Sequence, residues 1–185
     1  MILELMGRDV GHIALSSGIG GGADVILIPE IPYTLDGIVA KLHEVNREGR
    51  NHALVVVAEG CKTETGVPVT QVQADGEYRY GGIGQYLAAR LGKLIEAETR
   101  VTVLGHVQRG GTPGMRDRLV ASAFGVHAVD LIAQGKMDRM VAWQHGQVVD
   151  VPLSEIAGIT RAVDPFGTVA HTARGLGIYI GEMKA

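Results

Sequence analysis

The chain reads as an α/β protein, a three-layer α/β/α arrangement around a mostly parallel sheet, and three observations point there. Short apolar runs rich in β-branched residues, such as Val25-Ile26-Leu27-Ile28 and Val55-Val56-Val57-Ala58, have the continuous hydrophobicity of strands buried on both faces. Stretches with helical spacing lie between them, for example Ile38, Val39, Leu42 and Val45 on one stripe. Glycine accounts for 27 of 185 residues, about twice its common share, yet it clusters between the apolar runs and so marks tight turns rather than low complexity. Strands alternating with helices at this interval form βαβ units, which cover a parallel sheet on both sides.

Each element follows in order. Ile2 to Met6 alternates around Glu4 and ends at Gly7-Arg8, a strand. Asp9 is the expected cap of a helix running through Ile13 to Gly18, which Gly20-Gly21-Gly22 closes. Ala23 to Glu30 is the second strand, and Thr34 or Asp36 caps a helix over Leu35 to Arg47 that Gly49 ends. Ala53 to Ala58 is the third strand, with Glu59-Gly60 at its C-terminal end. Residues 61–81 are polar and lack a period; with Gly66, Pro68, Gly76 and the Tyr78-Arg79-Tyr80 triplet they read as a long loop or excursion. Ile83 to Glu98 reads as helix, Val101 to Leu104 as strand, and Asp117 to Gln134 as a long amphipathic helix with Asp117 at its positive end. Met140 to Trp143 and Gln147 to Val151 form a hairpin about His145-Gly146, and Thr168 to Gly177 a last helix. With no internal repeat and no linker, one domain over residues 1–185 is expected.

Composition removes several functions. Lys plus Arg number 17 against 20 Asp plus Glu, a net charge of −3, so the basic face of a general nucleic-acid binder is missing. The lone Cys61 has no disulfide partner within the chain and no base paired with it, and is expected to be a passive thiol in a reducing, cytoplasmic setting. No stretch has 18 uninterrupted apolar residues, and the first residues lack a signal-peptide pattern, so no membrane association is expected. The histidines are scattered without supporting carboxylates, so no metal is expected on this chain alone. Trp143 and Phe124 read as core or interface packing.

In open α/β sheets ligands bind beyond the carboxyl ends of the strands, where loops and helix N-termini converge. Those ends carry Met6-Gly7-Arg8, Pro29-Glu30, Ala58-Glu59-Gly60 and the run from Leu104 to Gly111. Arg8 and Arg109, with His106, would hold a phosphate or carboxylate through charge-assisted hydrogen bonds, and Glu59 would accept from hydroxyls. Cations with one carboxylate suit a sugar phosphate. Taken singly, each residue has an ordinary reading: a capping arginine, a solvated loop glutamate, a hydrogen-bonded structural histidine. Their gathering on one sheet edge is what favours a site.

Met6-Gly7-Arg8 after a strand, Ala58-Glu59-Gly60 after another, and the run Arg100-Val101-Thr102-Val103-Leu104-Gly105-His106-Val107-Gln108-Arg109-Gly110-Gly111-Thr112-Pro113 followed by Asp117-Arg118 resemble the 6-phosphofructokinase family. The resemblance runs from Met6 to about Gly135 and covers the second, fructose-6-phosphate-binding half of such an enzyme. The family's Gly-Gly-Asp donor loop and its Thr-Ile-Asp loop with the catalytic base do not occur in these residues.

The resemblance implies that Met6, Gly7 and Arg8 line the sugar phosphate, with Arg8 also near the transferring phosphoryl group. It implies that Glu59 accepts from sugar hydroxyls and that His106 and Arg109, with Val107 and Gln108 in the same run, hold the 6-phosphate. Arg100 would reach a neighbouring subunit's substrate, which implies a homo-oligomer. The complete enzyme would use Mg²⁺ with ATP or pyrophosphate, none of which this chain alone is expected to bind. The length of the stretch from Glu59 to Arg100 looks more like the pyrophosphate-dependent or mixed-substrate branch. Glu48-Gly49-Arg50-Asn51-His52 keeps only part of the basic charge that precedes this strand in effector-regulated bacterial members. Two readings follow: the substrate-binding lobe of a 6-phosphofructokinase, inactive by itself, or a noncatalytic sugar-phosphate-binding or oligomerisation module.

Overall fold

The computed structural model describes residues 1–72 and 78–182. Where the sequence reads as one domain, the chain gathers into two compact units, Met1–Gln108 with Thr160–Ala185, and Arg109–Ile159. The first unit runs β1 (Ile2–Leu5), α1 (His12–Gly20), β2 (Val25–Leu27), α2 (Leu35–Arg47), β3 (Val55–Ala58), β4 (Thr70–Val72), β5 (Tyr78–Tyr80), α3 (Ile83–Leu91) and β6 (Val101–Val103). A 3-10 turn over His106–Arg109 ends on the residue that opens the second unit, which holds α4 (Met115–Ala133), β7 (Arg139–Gln144) and β8 (Gln147–Pro152). The chain then returns to the first unit as α5 (Thr168–Gly175).

Four parallel strands in the order β2-β3-β1-β6 make the sheet. The β-branched residues of β2 and β3 are buried throughout, which is why those runs carry no polar alternation. β6 lies at the edge and exposes Val103. Register shows how the layers form. Leu3, Val56 and Ile26 are aligned across three strands and so share one face, as do Glu4, Val57 and Leu27 on the other. A Cβ on Gly18 would lie 2.6 Å from Ile26, so α1 packs closely on the first face, with α5 beside it. Glu4 meets the start of α3 on the second face, and α2 packs beside α3. The expected α/β/α sandwich is therefore present in this unit.

Several boundaries differ from expectation, each for a local reason. The helix α2 spans the expected residues, and of its two candidate caps Thr34 is the one used, its hydroxyl accepting from Gly37 N–H at 3.0 Å. Asp9 does not cap α1. The cap is Gly11, whose N–H donates to both oxygens of Glu30 at 3.1 Å. The helix α3 stops at Leu91 rather than Glu98, capped by Gly92. Part of the stretch read as a loop over 61–81 is an antiparallel pair, with Thr70 opposite Tyr80 and Gln71 opposite Arg79; Gly76 lies outside the described residues. The segment after α5 lies along β2, where Ile26 N–H donates to the Tyr179 carbonyl at 2.9 Å.

In the second unit β7 and β8 form the expected hairpin, somewhat longer than read. His145 and Gly146 at its turn have φ of 48° and 83°, the left-handed pair that a two-residue connection needs. Asp117 accepts from Gly114 N–H at 2.9 Å and so caps α4, the role its place in the sequence suggests. Trp143 is 42 % exposed on the hairpin and is not a core residue here. Among the described residues no helix is long and apolar enough to cross a membrane.

Candidate functional site

Parallel strands deliver their C-terminal ends to one edge, so the residues just past β1, β3 and β6 are neighbours although far apart in sequence. The loop Met6-Gly7-Arg8 after β1 is the centre. Glu59, which continues β3 by donating its own N–H to the Leu5 carbonyl at 2.8 Å, turns its carboxylate onto that loop. Its Oε1 accepts from Gly7 N–H at 3.0 Å and from Arg8 N–H at 2.9 Å. From the other side Gln108 Oε1 accepts from Met6 N–H at 2.8 Å. Three successive amides are thus held by side chains from the segments that follow the two flanking strands.

The backbone of the loop is shaped as tightly. Arg8 sits at φ 51°, a left-handed conformation that costs a non-glycine residue energy and persists where surroundings impose it. Gly60 passes so close beneath that a Cβ there would meet the Arg8 carbonyl oxygen, so glycine is required at that position. One residue on, Asp9 accepts from the Tyr80 hydroxyl at 2.7 Å and ties β5 to the loop. That hydrogen bond to a carboxylate holds the Tyr80 phenol above its ordinary pKa. The Arg8 side chain is exposed, which suits a cation that meets a ligand rather than the core.

The remaining expected residues fall in three places. His106 and Val107 are exposed on the 3-10 turn that follows β6, and Gln108 folds back from it to Met6. Arg109 is exposed and opens the second unit. Arg100 stands before edge strand β6, paired with Glu98 at 2.9 Å in full view of solvent. Met6, Gly7, Arg8, Glu59 and Gln108 are therefore one hydrogen-bonded cluster.

Sequence reading missed three acids that pin the elements of this unit to one another. Glu4, only 2 % exposed, accepts from Gly82 N–H at 3.0 Å and Gly84 N–H at 2.8 Å, satisfying the first amides of α3 where the helix dipole favours negative charge. Glu30 Oε1 accepts from Gly11 and from Val163 N–H at 2.8 Å, joining α1 to the segment before α5. Asp24, also buried, takes a two-pronged contact from Arg50, at 2.6 and 3.2 Å, and a bond from Leu54 N–H at 2.8 Å. Arg50, which the sequence offers as part of an effector charge, is thus engaged within the fold. The one available signal was an isolated acid inside or beside each apolar strand, a position where an unpaired charge would be costly. Cys61 is buried and burial pushes its thiol up, so it stays protonated and unreactive.

The model of the phosphofructokinase family matches residues 1–132 of the chain. The chain belongs to the phosphofructokinase family. Among its relatives, the ATP-dependent 6-phosphofructokinase 1 of Synechocystis is 56 % identical over 182 residues, 98 % of this chain and 50 % of that protein. The enzyme of the same name from Nostoc is also 56 % identical, over 98 % of this chain and 51 % of its own length. The chain spans about half the length of the curated relatives it matches. Among solved structures, Pichia pastoris phosphofructokinase superposes with a TM-score of 0.63 at 31 % identity, over 95 % of this chain and 18 % of that one. The pyrophosphate-dependent phosphofructokinase of Nitrosospira multiformis, at TM-score 0.72 and 21 % identity over all of this chain and 49 % of that one, shares the fold. The long stretch between Glu59 and Arg100, read as resembling the pyrophosphate-dependent branch, lies inside the likeness to relatives named ATP-dependent.

Proposed function

We propose that this chain is the sugar-phosphate-binding portion of a 6-phosphofructokinase, which in the whole protein passes a phosphoryl group from ATP to the 1-hydroxyl of fructose 6-phosphate. The observation that carries this reading is the clamp on Met6-Gly7-Arg8 by Glu59 and Gln108, within a chain of this family. A loop whose backbone is held before substrate arrives loses less entropy on binding, and it sets the Cα of its arginine in place before charge develops on the transferring phosphoryl group. Glu59 uses Oε1 for the two amides, which leaves Oε2 to accept from a sugar hydroxyl. His106 and Arg109 hold the 6-phosphate, and Arg100 contributes to the site of a neighbouring subunit in a homo-oligomer. ATP is favoured as the donor because the relatives at 56 % identity are named ATP-dependent.

The magnesium that family chemistry implies finds no group of three or more histidine, cysteine or carboxylate side chains among the described residues, so no step through a metal is assigned to this chain. Its own residues bind and orient the acceptor sugar and supply one cation to the transition state; general-base and donor groups come from elsewhere.

Calorimetric titration tests the reading. The chain is expected to bind fructose 6-phosphate in preference to glucose 6-phosphate, and Arg109→Ala and Glu59→Ala are each expected to weaken that binding about tenfold or more, the cost of one charge-assisted hydrogen bond. Equal affinity for the two sugars, or affinity unmoved in both variants of a folded chain, refutes it.

A further inference from the structure

The turn that carries Arg8 also carries an acid. Val10 N–H donates to the Gly7 carbonyl at 3.2 Å, which makes Arg8 and Asp9 the two central residues of a tight turn, both of them exposed. Their Cα atoms stand about 3.8 Å apart across one peptide, well inside the reach of an arginine side chain. A carboxylate and a guanidinium so placed attract one another, and an exposed pair of this kind does form elsewhere on the chain, between Arg100 and Glu98 at 2.9 Å. At this turn it does not. Among the described residues the Arg8 guanidinium has no hydrogen bond or ion pair.

Asp9 is occupied instead by Tyr80, whose hydroxyl donates to Asp9 Oδ1 at 2.7 Å, the short distance of a charge-assisted bond. Tyr80 can hold the acid in one direction because its own backbone is anchored twice. It lies opposite Thr70 in the pairing of β4 with β5, and two residues on, Gly82 N–H donates to the buried Glu4 at 3.0 Å. Glu4 belongs to β1, the strand that leads into the Met6-Gly7-Arg8 loop. A closed circuit therefore runs from Glu4 through the loop to Asp9, across to Tyr80, and back through Gly82 to Glu4.

We propose that Tyr80 is a positioning residue: by holding the Asp9 carboxylate it keeps the neighbouring Arg8 guanidinium unpaired and open to a phosphate group. This role rests on the reading of Arg8 as a phosphate contact, and adds to it the means by which the cation stays available. An arginine paired with its own neighbour must break that pair before it meets an anion, so a ligand bound through it is weakened by the strength of the pair. Exposed ion pairs are weak, and a loss of about threefold in affinity is the scale to expect when the tyrosine hydroxyl is removed.

The test follows the full chain by calorimetry with fructose 6-phosphate and by the rate at which phenylglyoxal modifies Arg8, read from the mass of the peptide that contains it. Tyr80→Phe keeps the ring and removes the hydroxyl; it is expected to weaken fructose 6-phosphate binding and to slow Arg8 modification, each about threefold. Asp9→Asn keeps an oxygen that accepts from Tyr80 and removes the charge, so adding Tyr80→Phe to Asp9→Asn is expected to change neither quantity. A purely structural tyrosine gives the opposite sign, because a loosened loop exposes Arg8 and speeds its modification. Equal or faster Arg8 modification in Tyr80→Phe, unchanged fructose 6-phosphate affinity in that variant, or the same losses with Asp9→Asn in place each overturns the proposal. Failure of the unaltered chain to bind fructose 6-phosphate refutes the sugar-phosphate reading instead, and the phenylglyoxal rates then decide by themselves whether Tyr80 keeps Asp9 from Arg8.

Discussion

In the first unit the strands β1, β2 and β3 lie beneath helices on both faces, and even their acids, Glu4 and Asp24, are buried and fully occupied by amides or an arginine. In the second unit the long helix α4 buries Leu131 alone, at 5 % exposure, while its neighbour Ile132 is 62 % exposed and Leu119, Val126 and Val129 are similarly open. Both regions are rich in apolar residues. The difference lies in how many partners each element has inside its own unit: the sheet is covered twice, whereas α4 packs on a single two-stranded hairpin. A two-stranded hairpin has too little surface to cover a helix of five turns, so apolar content alone does not make a core.

Substitutions can break or sharpen this contrast. The largest effect is expected for Glu4→Ala, which leaves the amides of Gly82 and Gly84 buried and unpaired; a loss of about 2–5 kcal/mol should appear in urea unfolding of the first unit. If Glu4→Ala is neutral, the acid is not what fixes α3 to the sheet. Next comes Leu131→Ala, expected to cost about 2–3 kcal/mol in the second unit, seen as an earlier melt followed by Trp143 on β7, the sole tryptophan.

A smaller effect depends on pH. The hydrogen bond from Arg139 to Asp150, 2.6 Å from Nε to Oδ2, holds that carboxyl below the usual carboxylate range. A carboxyl with a depressed folded pKa stabilises above its unfolded value and loses that contribution as pH falls through the folded one. Trp143 fluorescence should therefore report a hairpin that weakens below about pH 4, and Asp150→Asn should flatten that dependence. The smallest change is expected at Ile132→Ala, within about 0.5 kcal/mol, since the side chain gives up little burial. A cost at Ile132 equal to that at Leu131 would show that α4 has a covered face in solution.

Much of the first unit was legible. Local signals sufficed for α2, whose stripe and Thr34 cap are contained in its own residues, and for the turn at His145-Gly146. Asp9 misled because a capping acid near a helix start is a common pattern, and its true partner, Tyr80, is 71 residues away. The segments Thr70–Val72 and Tyr78–Tyr80 gave little warning of strands, since their pairing depends on Thr70 meeting a residue ten positions further along the chain, Tyr80. At the site, the strand ends were legible as a group, but the contacts within that group were not. Beside the ligand role read for them, Glu59 and Gln108 hold the backbone that presents Arg8.

By itself the sequence determined the α/β class, the alternation of buried strand and helix, and the family, because each rests on spacing or on short contiguous motifs. Tertiary structure alone decided that the chain forms two units and that Glu4 would be buried. It also decided that three amides of one loop would be clamped from positions 51 to 102 residues away. Those outcomes depend on which strands become neighbours in the sheet. A parallel register brings distant chain ends together, and no local propensity records that proximity.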